Sequence, residues 1–178
     1  MAETTLRDAL DTAGPYAVWE LMTEDEQRLA ATALWKDADR DVRIVLEAAL
    51  AKELKFRPHS LRKLPVEKVA ARLVRMAPTL PDTVAFQFLF YLHMKERRPL
   101  MVRFLDAVEV PHEDGVLDLP EDFAGVDDAV AEKAATELVD AEGHEALVYL
   151  ATLLVADAEL WAGIEPVLKL YSETGEKL

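Results

Sequence analysis

The chain has 178 residues, 51% of them hydrophobic and 30% charged, with a mean hydropathy of +0.01. That length suits one domain around one core, and the balance fits neither a disordered chain nor a membrane protein. With no cysteine, a net charge of −14 and a pI of about 4.7, disulfides, thiolate nucleophiles and Cys-ligated zinc are excluded, and the molecule as a whole repels nucleic acid and anionic membranes.

Ala, Leu, Glu and Arg dominate, and these are strong helix formers. The expected fold class is all-α: a compact multi-helix domain of about eight helices, with residues 1–178 as a single helical domain and a frayed tail at about 173–178. The acidic start, MAETTLRDAL, lacks the apolar core of a signal sequence. A short first helix is expected over 3–12. Gly14 ends it and Pro15 opens a second helix through Met22. Thr23 and Glu26 have capping-box spacing, which starts a third helix running to about Lys36, with Leu29, Ala30, Ala33 and Leu34 as its apolar stripe. Asp39 caps the next, over about 40–55, where Val42, Val45, Leu46, Ala49, Leu50 and Leu54 recur at helical spacing.

Phe56 to Leu64, FRPHSLRKL, reads as a basic connector. Pro65 then opens an amphipathic helix over 65–77, with Val66, Val69, Ala70, Leu73 and Ala77 on one side. Lys68, Arg72 and Arg75 fall on the opposite side. Pro78 and Pro81 break the chain, and Asp82 caps a helix over 82–96 that is apolar almost all round. Its run from Val84 to Met94 is interrupted by Gln87 and His93 and is far short of the ~20 residues of a membrane span, so no membrane association is expected. Arg97-Arg98-Pro99 turns the chain into a second apolar helix ending near Val108. These two helices are expected to form a central apolar αα-hairpin at 82–108. Over 109–124 an irregular loop and a tiny β-hairpin fit equally well, with Asp114-Gly115 as the turn signal. Helices resume at about 125–141, 143–158 and 160–173, punctuated by Gly143 and Gly163.

Charge is segregated along the chain. Residues 52–103 carry 12 basic and 4 acidic side chains, whereas residues 104–165 carry 1 basic and 17 acidic. Three readings follow: neutralisation within the molecule, association between copies, or an anion site. The anion site would use Arg57, Arg62, Lys63, Lys68, Arg72 and Arg75. The net negative charge and the lack of a Gly-rich phosphate loop weigh against nucleic acid.

Catalytic signals are sparse. His59, His93, His112 and His144 form no i, i+4 pair, and His144-Glu145 starts like a zinc-protease motif that Val148 ends. His93 and His144 read as structural histidines, and Trp19, Trp35 and Trp161 as packing residues. In the acidic turn, His112, Glu113, Asp114 and Asp118 form a candidate divalent-metal cluster. An EF-hand register with Gly115 at position 6 puts Val110 where the first carboxylate belongs, so calcium is not favoured. Arg103 and Asp106, three residues apart, suit a helix-face ion pair, while Gln87 and Tyr91 could line a small pocket with them. No cofactor is expected, and the sequence leans away from an enzyme. The leading function is a cytoplasmic, non-catalytic helical module that binds a protein partner or itself. The alternatives are anion or nucleic-acid binding through 57–75 and a small metal-dependent enzyme using 112–118.

Overall fold

The computed structural model describes residues 14–55 and 57–173. The expected helix over 3–12, Phe56 and the tail beyond 173 lie outside the described residues. The fold is all-α. In chain order the helices are α1 (Pro15–Leu21), α2 (Glu24–Asp37), α3 (Arg40–Leu54), α4 (Pro58–Leu61), α5 (Val66–Met76), α6 (Asp82–Glu96), α7 (Arg98–Ala107), α8 (Asp128–Glu142), α9 (His144–Ala156) and α10 (Glu165–Glu173). Strands β1 (His112–Glu113) and β2 (Val116–Leu117) lie between α7 and α8, and 3₁₀ turns at Ala77–Thr79 and Ala162–Ile164 lead out of α5 and into α10. Among the described residues, no helix is long and apolar enough to cross a membrane.

The chain divides into two compact units. One is continuous, residues 22–96. The other joins residues 14–21 to residues 97–173. The expected apolar hairpin therefore contributes α6 to the first unit and α7 to the second. The charge asymmetry follows the same division: residues 22–96 carry 13 basic and 11 acidic side chains, and the rest of the sequence carries 7 and 23.

In the 22–96 unit, α2 packs against both α5 and α6. Ala30, Ala31 and Ala33 are buried on α2, and small side chains let the neighbouring backbones come close. Leu34, Leu73, Phe88, Leu89 and Leu92 fill the space around them, all fully buried. The caps follow local chemistry. Thr23 Oγ1 accepts from the Glu26 N–H at 3.2 Å, and Glu26 Oε2 accepts from the Thr23 N–H at 2.7 Å. Asp39 Oδ1 accepts from the N–H groups of Asp41 and Val42, both at 2.9 Å, and the Asp39 N–H donates to the Tyr91 hydroxyl at 3.2 Å. Lys55 ends α3 in the left-handed region at φ 54°, where glycine is usual. Pro65 and Pro81 each stand just outside a helix, their carbonyls accepting the first turn's N–H groups, so α5 and α6 start one residue after the proline. Part of the expected connector is one helical turn, α4, opened by Pro58 at its first position.

In the second unit, α9 is the most buried helix: Ala146 to Leu154 are buried without interruption. It packs against α1, α8 and α10, while α7 packs on α8. Phe104 of α7 meets Tyr149 edge-on at 5.9 Å and Trp161 at 5.7 Å, which ties α7, α9 and the chain before α10 into one aromatic cluster. Gly143 joins α8 to α9 at φ 59° and ψ −127°, a conformation that favours glycine. Gly163 has a different role. A Cβ there would lie 2.5 Å from the Asp128 carbonyl oxygen and 2.6 Å from its Cα, so the 3₁₀ turn sits directly on the backbone at the start of α8. The stretch after α7 does form a β-hairpin, with His112 opposite Leu117 and Glu113 opposite Val116. Asp114 and Gly115 both have positive φ, 51° and 92°, as a type I′ turn requires.

Candidate functional site

The six cations of the basic segment belong to the 22–96 unit and divide into two groups. Arg62 and Arg72 serve the fold. Arg62 reaches Glu47 of α3 through both ends of its fork, Nε to Oε1 at 2.9 Å and Nη2 to Oε2 at 3.2 Å. Glu47's side chain is only 10% exposed and Arg62's is 68% exposed, so the arginine closes over a nearly buried carboxylate. The hydrogen bonds donated to Glu47, and then the charge of its carboxylate, hold the Arg62 proton more tightly than usual. Arg72 Nη1 lies 3.4 Å from Glu53 Oε1. The other four, Arg57, Lys63, Lys68 and Arg75, are exposed and form no ion pair with a described residue. Lys68 and Arg75 are two turns apart on the outer side of α5, about 10 Å along its axis.

The outward side of α3 is a second feature of this unit, and the sequence pattern concealed it. Val45 was expected within the buried stripe, yet it is 42% exposed, and Ile44 beside it is 55% exposed. Only Leu46, Glu47 and Leu50 are buried on this helix. At 100° per residue, Ile44 lies 200° from Leu46 and cannot share its face. Ala48 and Lys52 continue the outer row, with Arg40 and Asp41 at its start and Lys55 at its end, all exposed. Arg40, Lys52 and Lys55 form no ion pair with a described residue, which leaves two exposed β-branched side chains between cations.

The acidic turn belongs to the second unit. The His112 ring is held at both nitrogens: Nδ1 accepts the Gly115 N–H at 3.2 Å and Nε2 donates to Asp106 Oδ1 at 3.1 Å. Asp114 is taken by Arg98 Nη1, while Glu113 and Asp118 point to solvent. The expected metal set His112, Glu113, Asp114 and Asp118 is therefore not assembled. Both ring nitrogens are in use, Nδ1 as acceptor and Nε2 as donor, and among the described residues no three His, Asp or Glu side chains gather as ligands. Asp106 pairs with His112 and Arg103 with Glu142 at 2.9 Å, so the expected Arg103–Asp106 pair does not form. Tyr91 is engaged with the start of α3, in the other unit.

Each of the five Lys and Arg described in this unit meets a carboxylate: Arg97 with Glu145, Arg98 with Asp114, Arg103 with Glu142, Lys133 with Glu137 and Lys169 with Glu165. Most of its acidic groups therefore have no cation opposite them. A shallow depression of about 410 Å³ on α8 is lined by Ala129, Glu132, Lys133, Thr136 and Glu137. These fall on one exposed side of a single helix, which offers no enclosed volume for a substrate. Two phenols titrate above their ordinary range: Tyr149 because it is buried, and Tyr16 through burial and then the adjacent Glu20 carboxylate. His93 is buried in the 22–96 core and His144 is half-buried at the start of α9, the structural positions expected for them. No protein-family model matches the chain, and neither a curated protein nor a solved structure is significantly similar to it.

Proposed function

We propose that the chain is a cytoplasmic, non-catalytic helical interaction module that binds a protein partner or another copy of itself. The outward side of α3 carries this reading: Ile44 and Val45 are exposed next to each other and flanked by cations that form no ion pair with a described residue. Interfaces combine an apolar centre with a charged rim in this way. A photo-crosslinking residue at position 44, with position 136 on the outer side of α8 as control, tests it in cells. Protein adducts are expected from position 44 and not from position 136. No adduct from position 44 would refute the reading.

One observation favours a second reading, anion or nucleic-acid binding. Lys68 and Arg75 stand on one exposed side of α5, and like Arg57 and Lys63 they form no ion pair with a described residue. Binding of single-stranded RNA or duplex DNA would then fall steeply with salt and weaken in a Lys68→Ala, Arg75→Ala variant. The absence of binding at about 50 mM salt would end this reading.

A further inference from the structure

We propose that copies of this chain associate head to tail: the outer side of α3 in one copy receives the β1–β2 hairpin and its acidic flank, residues 109–128, of the next. This rests on the interaction-module reading and names the partner as a second copy of the chain.

Charge is the first support. Residues 40–75 carry ten basic and four acidic side chains, and two of those four, Glu47 and Glu53, are already taken by Arg62 and Arg72. Residues 109–128 carry eight acidic side chains and no basic one. Of these eight, only Asp114 is held by a described cation. Surfaces so unequal attract at long range, and the attraction weakens as salt rises.

Apolar surface is the second support. Val116 and Leu117 are 44% and 38% exposed, and Leu119 just beyond them is also exposed at 38%. Successive strand residues point to opposite faces, so β2 shows an apolar side chain on each face. The ribbon is held to α7 by Asp114 on Arg98, His112 on Asp106 and Gly115 beside Met101, and Val116 and Leu117 stay exposed beyond those contacts. The dimensions agree: Ile44 to Lys52 runs about 12 Å along α3, and Val116 to Leu119 spans about 10 Å of extended chain.

The two surfaces are different, so the contact is heterologous: an open assembly keeps one free α3 face at one end and one free hairpin at the other, and assemblies grow with concentration. The patches are small, which implies weak, rapidly exchanging association.

Sedimentation velocity on the full chain tests this, from about 10 µM to about 500 µM, in about 50 mM and about 500 mM salt. At low salt the weight-average mass should rise above 19.9 kDa with concentration, and high salt should return it to that value. Ile44→Asp and Leu117→Lys, both at exposed positions, should each be monomeric alone. Mixed in equal amounts they should form two-chain complexes and nothing larger, because the intact hairpin of the first meets the intact α3 face of the second. Circular dichroism melts matching the parent confirm that each variant folds. A parent chain that stays monomeric at every concentration overturns the proposal, as does an Ile44→Asp variant that still associates or a mixture that forms no pair. Protein adducts at position 44 that lack a second copy would defeat self-association while leaving the broader reading in place.

Discussion

Gly163→Ala probes the closest approach of backbone to any of the described glycines. An added Cβ would lie 2.5 Å from the Asp128 carbonyl oxygen, 2.6 Å from its Cα and 2.9 Å from its carbonyl carbon. Ordinary contact needs roughly 0.9 Å more, and no side chain can rotate aside because all three atoms are backbone. The start of α8 has to move. That strains the N-cap in which Asp127 Oδ1 accepts from the Val130 N–H at 3.0 Å. Overpacking costs about 1–3 kcal/mol and loss of a cap about 1 kcal/mol, so the change should destabilise by about 2–4 kcal/mol. For a protein of this size that lowers Tm by about 4–16 °C. Trp161, two residues away and fully buried, reports the transition by fluorescence beside circular dichroism. Gly125→Ala is the control: its φ is 94° but nothing lies within 4 Å of its added Cβ, so it isolates backbone strain from collision. A Gly163→Ala protein that melts within about 1 °C of the parent would refute the close approach of the 3₁₀ turn to α8.

Three further changes test other parts of the structure. Arg62→Ala removes the only fork over Glu47 and should lower Tm, and a Glu47→Leu, Arg62→Leu double variant should recover part of the loss because no carboxylate is then left without its partner. Lys55→Gly relieves a left-handed residue at the end of α3 and should stabilise by about 1 kcal/mol, seen as a Tm about 2–4 °C higher. Burial raises the Tyr149 phenol above its ordinary value of 10.0, so the folded state keeps a proton that the unfolded chain gives up. The stability from that proton is complete below about pH 10 and declines as pH rises further. Tyr149→Phe should make the pH dependence of unfolding above pH 10 shallower by up to about 1.4 kcal/mol per pH unit, measured by urea titration.

Features set by neighbours in sequence were legible, and those set by packing were not. Thr23 with Glu26, Asp39 and Asp114-Gly115 each satisfy or turn a backbone only a few residues away, so their residue types and spacing state their roles. The first strand lies at His112–Glu113, because a two-residue turn at Asp114-Gly115 dictates where pairing begins. The placing of α6 and α7 in separate units could not be read from apolar content, which marks a helix for burial without naming what buries it. Arg97 shows the same limit. It reads as a polar turn residue, but it is buried beside Glu145, some fifty residues away in sequence. At the candidate sites, helical spacing correctly set Lys68, Arg72 and Arg75 on one side of α5. It could not foresee that Arg62 and Arg72 would be drawn to Glu47 and Glu53 on α3, or that Asp106 would choose His112 over Arg103.

The second unit takes α1 from the start of the described chain and packs it against α9, more than 120 residues later. During synthesis α1 leaves the ribosome long before α9 and must then wait for it. At roughly 5–20 residues per second the wait is on the order of ten seconds. The continuous 22–96 unit has all its helices in hand well before then. Assembly on the ribosome is therefore ordered: the inserted helices can settle while the chain grows, and the apolar side of α1, with Val18 and Trp19, stays without its α9 partner until α9 has been made.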